Sequence, residues 1–456
     1  MATTRQGKPS VEERRARGKE ARAQVPVSGH AGWVPAADRP DPVGLLEEQN
    51  VTREADLVPV RHGRMMVSAF TFYRGAAKIM AADLKDTPTA GLTVQLCGDA
   101  HLSNFGFFAS PERALVFDLN DFDETLPGPF EYDVKRMAAS FTIAARNNAY
   151  SAADVRAATR ASVRAYREAM AGFAQMRTMD VWYAHLSEDE LMTAARGTVA
   201  KKDKKQAKAL QRAEKGLQKA RTRDSLQALS KLGELVDGRY RIVSQPPIVV
   251  PARDLAAAGR INTYEVEHLL REQVHTYRAT LQPDPGCRQR RHPGYIVPLQ
   301  GRDQQDPLFL QIKQASASVL EDHLPKSRYA QHGERVVHGQ RMMQATSDIY
   351  LGWTKGVDVR RHFYWRQLRD MKGSVEVETM APFALNFYAG VCGWTLARAH
   401  ARSGDPIAIA AYLGNSDKFD RSITDFCERY ADQNEQDYQT FTKAIRDGKL
   451  EALEGV

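Results

Sequence analysis

Apolar and polar positions alternate in short runs near the start of the chain, then recur at three- and four-residue spacing over much of the rest. The run Leu92, Val94, Leu96 has the period of a half-buried strand and ends in Cys97-Gly98-Asp99. A second apolar run, Ala114 to Phe117, delivers Asp118, Asn120, Asp121, Asp123 and Glu124 into a turn. Two strands ending in acid-rich loops predict a hairpin that presents carboxylates to one place. After Asp133, residues such as Met137, Phe141 and Ala144 keep helical spacing for roughly a hundred residues.

Earlier and later segments follow the same logic. A helix over Val43 to Gln49 follows the Asp41-Pro42 start signal, and another spans Ala76 to Leu84. Gln245 to Pro251 breaks the helical region, and a helix over Thr263 to Arg278 follows. Tyr295 to Leu299 and Leu308 to Lys313 read as two strands joined by the turn from Gly301 to Pro307. Phe363 to Gly373 is an aromatic, basic strand and turn, either a hinge between lobes or an edge strand. The remainder, from Pro382 to about Gly448, is helical, with His400 as a packing residue on an Ala-rich face. Five segments result: 1–42, an N-terminal arm and extended stretch; 43–140, strands and acidic loops; 141–245, helices; 246–380, small-lobe-like strands; 381–456, helices. The first, with few large apolar residues before Ala23, predicts a mobile arm or a poorly anchored helix.

Composition narrows the class. With 456 residues, 43% hydrophobic and 26% charged, the chain is globular and is neither fibrous nor disordered. The net charge of +8 permits attraction to phosphates, nucleic acid or anionic membranes without establishing it. Much of it lies in Arg196 to Arg223, which predicts a projecting basic helical hairpin able to hold RNA or an acidic partner, or simply a solvated helix face. No aromatic residue interleaves that run, which leaves base stacking unsupported. Four scattered cysteines without a C-x-x-C pair argue against zinc and against a disulfide framework. No apolar run reaches membrane-span length, and the expectation is a soluble, cytoplasmic protein.

The candidate chemistry lies in the two acidic loops. Asp and Asn are usual in tight turns, and a turn-only role is the bland reading of these residues. Oxygen-rich clusters also suit Mg²⁺, which takes one or two carboxylates plus substrate phosphates. Gly98-Asp99-x-His101-x-x-Asn104 resembles the catalytic loop of kinase-like phosphotransferases, in which an Asp accepts the hydroxyl proton and a following Asn holds metal. Asp121-Phe122-Asp123-Glu124, followed by Gly128-Pro129 and Tyr132-Asp133, resembles the metal-binding segment of the aminoglycoside and choline kinase branch. The Tyr-Asp spacing favours Asp121 over Asp118 as ligand, with both left open. His101 either orients its loop or takes part in the chemistry.

Over essentially its full length the chain resembles the bacterial family known as domain of unknown function 2252. The matching blocks are Arg39-Pro40-Asp41-Pro42, Phe72-Tyr73-Arg74-Gly75, Cys97 to Gly106, Asp118 to Thr125, Leu310-Gln311-Ile312-Lys313 and Arg366 to Asp370. The two resemblances together imply an α+β, two-lobed kinase-like core with permuted order of parts, since Lys313 follows Asp99 instead of preceding it. They imply Asp99, with His101, as catalytic residues, and Asn104, Asp121 and Asp123 around Mg²⁺. Lys313 would bind ATP phosphates, paired with Glu321 or Glu334. Read from the residues themselves, Arg61, Arg64 and Arg74 are second-tier phosphate candidates, the alternative being that Phe70, Phe72 and Tyr73 are core and the arginines pair with the acidic loops. The family's glycine-rich stretch is replaced here by Pro285 to Gly294, whose prolines and arginines do not allow the same close backbone approach. The expected function is phosphoryl transfer from ATP to a small hydroxylated acceptor. The alternatives are a non-catalytic binding protein with a basic arm and a metal-dependent phosphohydrolase.

Overall fold

The computed structural model describes residues 9–199, 203–223, 225–236, 239–245, 249–251, 254, 257, 282–283, 287–289, 294–303, 306–356, 360–368, 371–373 and 375–455. The expected helix over Thr263 to Arg278 and most of the stretch from Pro285 to Gly294 lie outside the described residues. In chain order the helices used below are α1 (Val11–Gln24), α2 (Pro42–Asn50), α3 (Val58–Met65), α4 (Ala69–Gly75) and α5 (Ala77–Leu84). After strands β1 (Thr93–Leu96), β2 (Phe105–Ala109), β3 (Leu115–Leu119) and β4 (Leu126–Pro129) come α6 (Phe130–Asn147) and α7 (Ala152–Phe173). Next are α8 (Thr178–Tyr183), β5 (Leu186–Ser187), α9 (Glu188–Thr198), α10 (Lys204–Arg221) and α11 (Ser225–Leu232). Short strands β6 (Gly233–Val236), β7 (Arg239–Ile242), β8 (Val250–Pro251), β9 (Gln282–Pro283) and β10 (Cys287–Gln289) precede β11 (Gly294–Gln300) and β12 (Pro307–Ala315). Then follow α12 (His332–Met343), β13 (Gly352–Lys355), β14 (His362–Gln367), α13 (Pro382–Ser403), α14 (Pro406–Leu413) and α15 (Lys418–Arg446). The architecture is α+β and dominated by helix.

The acidic loops do not sit on one hairpin. β1 pairs antiparallel with β4, Leu96 opposite Leu126, whereas β2 pairs with β3, which in turn pairs with β5. The reason is local: β2 and β3 are joined by the tight turn at 110–114, with Arg113 in the left-handed region, while the Asp99 loop separates β1 from β2. The two loops still meet, because the Asn120 amide donates to the Asn104 carbonyl at 2.8 Å.

The larger sheet runs β13-β14-β12-β11-β10-β8, with β9 added on β11. Strand alternation divides its side chains. Val297, Leu299, Leu310, Ile312, Phe363 and Trp365 form one apolar cluster, and Ile296, Phe309 and Leu368 join another with Leu229 and Leu232 of α11. Lys313 shares the second parity, opposite Tyr364 of β14. β14 lies between β12 and β13, so the edge-strand alternative is corrected: its apolar residues are covered on both sides.

Helices enclose this frame. α7 packs along α13, and Phe130 at the start of α6 stacks on Tyr166 of α7 at 6.1 Å. The N-terminal segment is better anchored than its composition predicts. Ser10 and Glu13 form a reciprocal cap on α1, Arg14 pairs with Asp405 at 2.8 Å, and Gly18 lies so close to the Ala408 carbonyl that a Cβ would come within 2.1 Å. The basic hairpin also differs from expectation: Leu217 and Ala220 of α10 are buried, and Arg223 donates to the Lys372 carbonyl, so α10 docks on the body instead of projecting. Among the described residues no helix is long and apolar enough to cross a membrane.

Candidate functional site

The Asp99 loop is built from β1 and braced by α6. Gly98 has φ +84 and lies against the Glu124 carbonyl, where a Cβ would sit 2.2 Å away; only glycine fits this turn without strain. Asp133, in the first turn of α6, accepts from the amides of Cys97 at 2.6 Å and Gly98 at 3.0 Å. His400, read from sequence as a packing residue, is buried and holds Asp133 in turn. Its Nε2 lies 3.2 Å from the Asp133 carboxylate and its Nδ1 2.9 Å from the Tyr166 hydroxyl.

Asp99 itself is gripped by Arg136. The Arg136 Nε donates to Asp99 Oδ1 at 2.9 Å, Nη2 reaches the Tyr73 carbonyl at 2.8 Å, and the guanidinium lies 3.9 Å from the centre of the Tyr73 ring. The other Asp99 oxygen lies 3.7 Å from His101 Nε2. Burial, the largest influence, pulls the His101 imidazole down to about 4, so it is neutral at pH 7. Asn104 donates its amide nitrogen to the Asp99 carbonyl at 2.6 Å, which ties the far end of the loop to its start.

The second loop follows β3. Asp118 is fully buried, paired with Arg398, and accepts from the Ala345 amide at 2.7 Å. It belongs to the core, and the alternative of Asp118 as a ligand is set aside. Asp121 and Asp123 instead face β12. Lys313 Nζ lies 3.2 Å from Asp123 Oδ2 and 3.8 Å from Asp121 Oδ1, and the Tyr364 hydroxyl donates to Asp123 Oδ1. The expected pairing of Lys313 with Glu321 or Glu334 is corrected. Glu321 accepts from the Ser318 amide at 3.1 Å and faces Arg335, while Glu334 lies 3.8 Å from His338 one turn along α12. Arg335 holds this loop by its backbone, donating to the carbonyls of Thr125 at 2.6 Å and Asp123 at 2.8 Å.

Two cavities meet here. One, of about 440 Å³, lies against α2, α3 and α4 and is lined by Asp99, His101, Asn104, Asp121, Asp123, Lys313 and Arg74. Apart from Asp118, the residues singled out from the sequence for catalysis, metal or phosphate thus open on one space. The other, of about 390 Å³, lies beneath the large sheet, between β12, β14 and the β2–β3 pair. Asn104, Asp121 and Lys313 line both, whereas Asp99 lines only the first. Both volumes suit small molecules.

Sequence reasoning missed Arg136, Tyr364 and Arg366, and quoted Asp133 without assigning it a task. Signals existed. Arg136 directly precedes the apolar run from Met137 in α6, and Tyr364 becomes relevant once β14 is paired with β12, because it falls opposite Lys313. Arg366 donates to the Asn120 carbonyl at 3.0 Å and to Gln311 at 3.2 Å, linking sheet to loop. In the basic hairpin, Arg196 pairs with Glu214 at 2.9 Å and Arg221 with Glu188 at 2.6 Å.

Fold and cleft together define an α+β protein in which two acidic loops meet a strand lysine supplied from much later in the chain. The chain belongs to the family of uncharacterised proteins conserved in bacteria designated DUF2252, whose profile matches residues 53–444. No match is found among curated proteins or among solved structures.

Proposed function

We propose that the protein is a Mg²⁺-dependent phosphotransferase that moves the terminal phosphoryl group of ATP to a hydroxyl of a small-molecule acceptor. The observation that carries this reading is the convergence of Asp99, Asn104, Asp121 and Lys313 on one cleft, with Lys313 within 3.8 Å of Asp121 across nearly two hundred residues of sequence. The sheet adds support. Lys313 lies on the strand that follows the β10–β11 pair, and α12 then intervenes before β13 and β14, as in the kinase-like small lobe where the phosphate lysine precedes a helix.

The donor set fits Mg²⁺. Asp121, Asp123 and the Asn104 amide offer oxygen toward one cavity, the ligand type Mg²⁺ takes together with substrate phosphates. When bound, the ion would neutralise charge on the phosphates. Lys313 would hold phosphate oxygens, with Arg74 as a further cation.

Asp99 is the base. Its Oδ1 is fixed by Arg136, and its second oxygen would take the acceptor proton as the acceptor oxygen bonds to phosphorus and ADP leaves. Neutral His101 orients this carboxylate without competing as a cation. The division of the cleft suits transfer between two ligands: nucleotide in the cavity under the sheet, acceptor in the cavity that Asp99 enters, and the phosphates at the shared Asn104, Asp121 and Lys313. Catalysis would rest on positioning and charge stabilisation.

The test is ADP formation with purified protein, ATP, Mg²⁺ and a panel of hydroxylated compounds, on wild type and Lys313→Met. Acceptor-dependent ADP release lost in the variant supports transfer. Phosphate release that needs no acceptor and survives Lys313→Met favours a phosphohydrolase.

A further inference from the structure

The acceptor cavity has an unusual wall. Where it is bounded by α2 to α4 it carries Arg53, Arg61, Arg64 and Arg74, with Glu54 the one acid that lines this wall among the described residues. Arg61 is half-buried and donates to neutral oxygens: Gln49 at 2.8 Å, Asn50 at 3.0 Å and the Gly75 carbonyl at 2.7 Å. These bonds fix the guanidinium in place without cancelling its charge. Burial first, and then the neighbouring Arg53, both weigh against that charge, so an anion entering the cavity would relieve an existing cost. The other acids that line the cavity belong to the Asp99 and Asp121 loops, where Lys313 lies 3.8 Å from Asp121.

We infer that the acceptor is an anionic hydroxyl compound, a small molecule bearing a phosphate or carboxylate, seated with its charge on the Arg61 and Arg64 wall and its hydroxyl toward Asp99. This rests on the transferase reading for the word acceptor, but the anion site stands on the wall alone. It adds a negative charge to the small hydroxylated acceptor expected from the sequence. A cationic acceptor needs carboxylates or aromatic faces around its charge, and this wall offers guanidinium groups instead. The second cavity is a less apt anion seat for the acceptor because Asp99 does not reach it.

The test is calorimetric titration of inorganic phosphate, ribose 5-phosphate, choline and kanamycin into wild type, Arg64→Gln and Arg61→Gln, with Mg·AMP-PNP titrated in parallel. Arg64 is exposed, so its variant keeps the test valid if Arg61→Gln fails to fold. Expected is binding of the two phosphates to wild type, weakened about tenfold in each folded variant, with nucleotide affinity kept within about threefold. No phosphate binding to wild type, phosphate binding unmoved by either variant, or preference for choline or kanamycin overturns the inference. Equal loss of nucleotide affinity also overturns it, by putting the nucleotide phosphates on this wall. If wild type binds phosphate through the arginines but binds no nucleotide, the anion site is upheld and the transferase reading fails separately.

Discussion

Lys313 and Tyr364 face one another across β12 and β14, and both end on the carboxylate of Asp123, the lysine on one oxygen and the phenol on the other. Burial raises the Tyr364 phenol well above its ordinary value, which keeps it a donor at any working pH. The loop that carries Asp121 and Asp123 is therefore registered to the large sheet by two side chains from neighbouring strands. Removing the hydroxyl in Tyr364→Phe is expected to cost about 1–2 kcal/mol. A double-mutant cycle with Asp123→Asn, read by urea unfolding, is expected to give a coupling of at least about 0.5 kcal/mol. Additive effects would mean that the contact does not bind sheet to loop.

Asp118 and Asp121 are three positions apart and play opposite parts. Asp118 and Arg398 form a fully buried pair, and Arg398→Met is expected to destabilise the fold by about 3–5 kcal/mol, because it strands a buried carboxylate. Asp121 lines both cavities, and Asp121→Asn is expected to stay within about 1 kcal/mol of wild type. Denaturant midpoints of the two variants check this. Equal losses would contradict the assignment of one residue to the core and the other to the cleft.

Asp133 is the keystone of the Asp99 turn. Asp133→Ala leaves the amides of Cys97 and Gly98 and the imidazole of His400 without their acceptor, for an expected loss of about 2–4 kcal/mol. Hydrogen exchange at the Cys97 and Gly98 amides should accelerate in a conservative Asp133→Asn variant. Unchanged protection there would show that the turn is held by something else.

Acid should unfold the protein partly through His30. Its ring is buried, lies edge-on to Tyr412 and Phe419, and is 2.7 Å from the Tyr412 hydroxyl. Burial, and secondarily Lys135, lower it from 6.5 to about 3. The folded state therefore favours the neutral ring: the contribution is fully present above pH 6.5 and is lost as pH falls toward about 3. Over that window wild type is expected to lose of the order of 3 kcal/mol more than His30→Gln. Parallel stability profiles would contradict this.

Much of the site was legible because it was written in short polar segments at strand ends. The loops from Asp99 to Asn104 and around Asp121, and the strand lysine, all reappear in one cleft. What was not legible depended on strand pairing. The sequence contains no marker that β1 joins β4 instead of β3, and the lysine's partners follow from that arrangement, which brings Asp123 and not Glu321 within reach. Arg136 was hidden for another reason: a buried polar residue in a helix looks like a solvated one until its partner, here Asp99, is known. The N-terminal helix misled in the same way, since small residues such as Gly18 and Ala21 carry its packing and leave no hydrophobic signature.

The central claim is a shared metal and nucleotide site at Asn104, Asp121 and Lys313. The most direct measurement is calorimetric titration of AMP-PNP, with and without Mg²⁺, into wild type and Asp121→Asn. The account predicts binding to wild type that requires Mg²⁺ and weakens at least about tenfold in the variant. Absence of binding at millimolar nucleotide, or binding indifferent to both Mg²⁺ and Asp121, would contradict it.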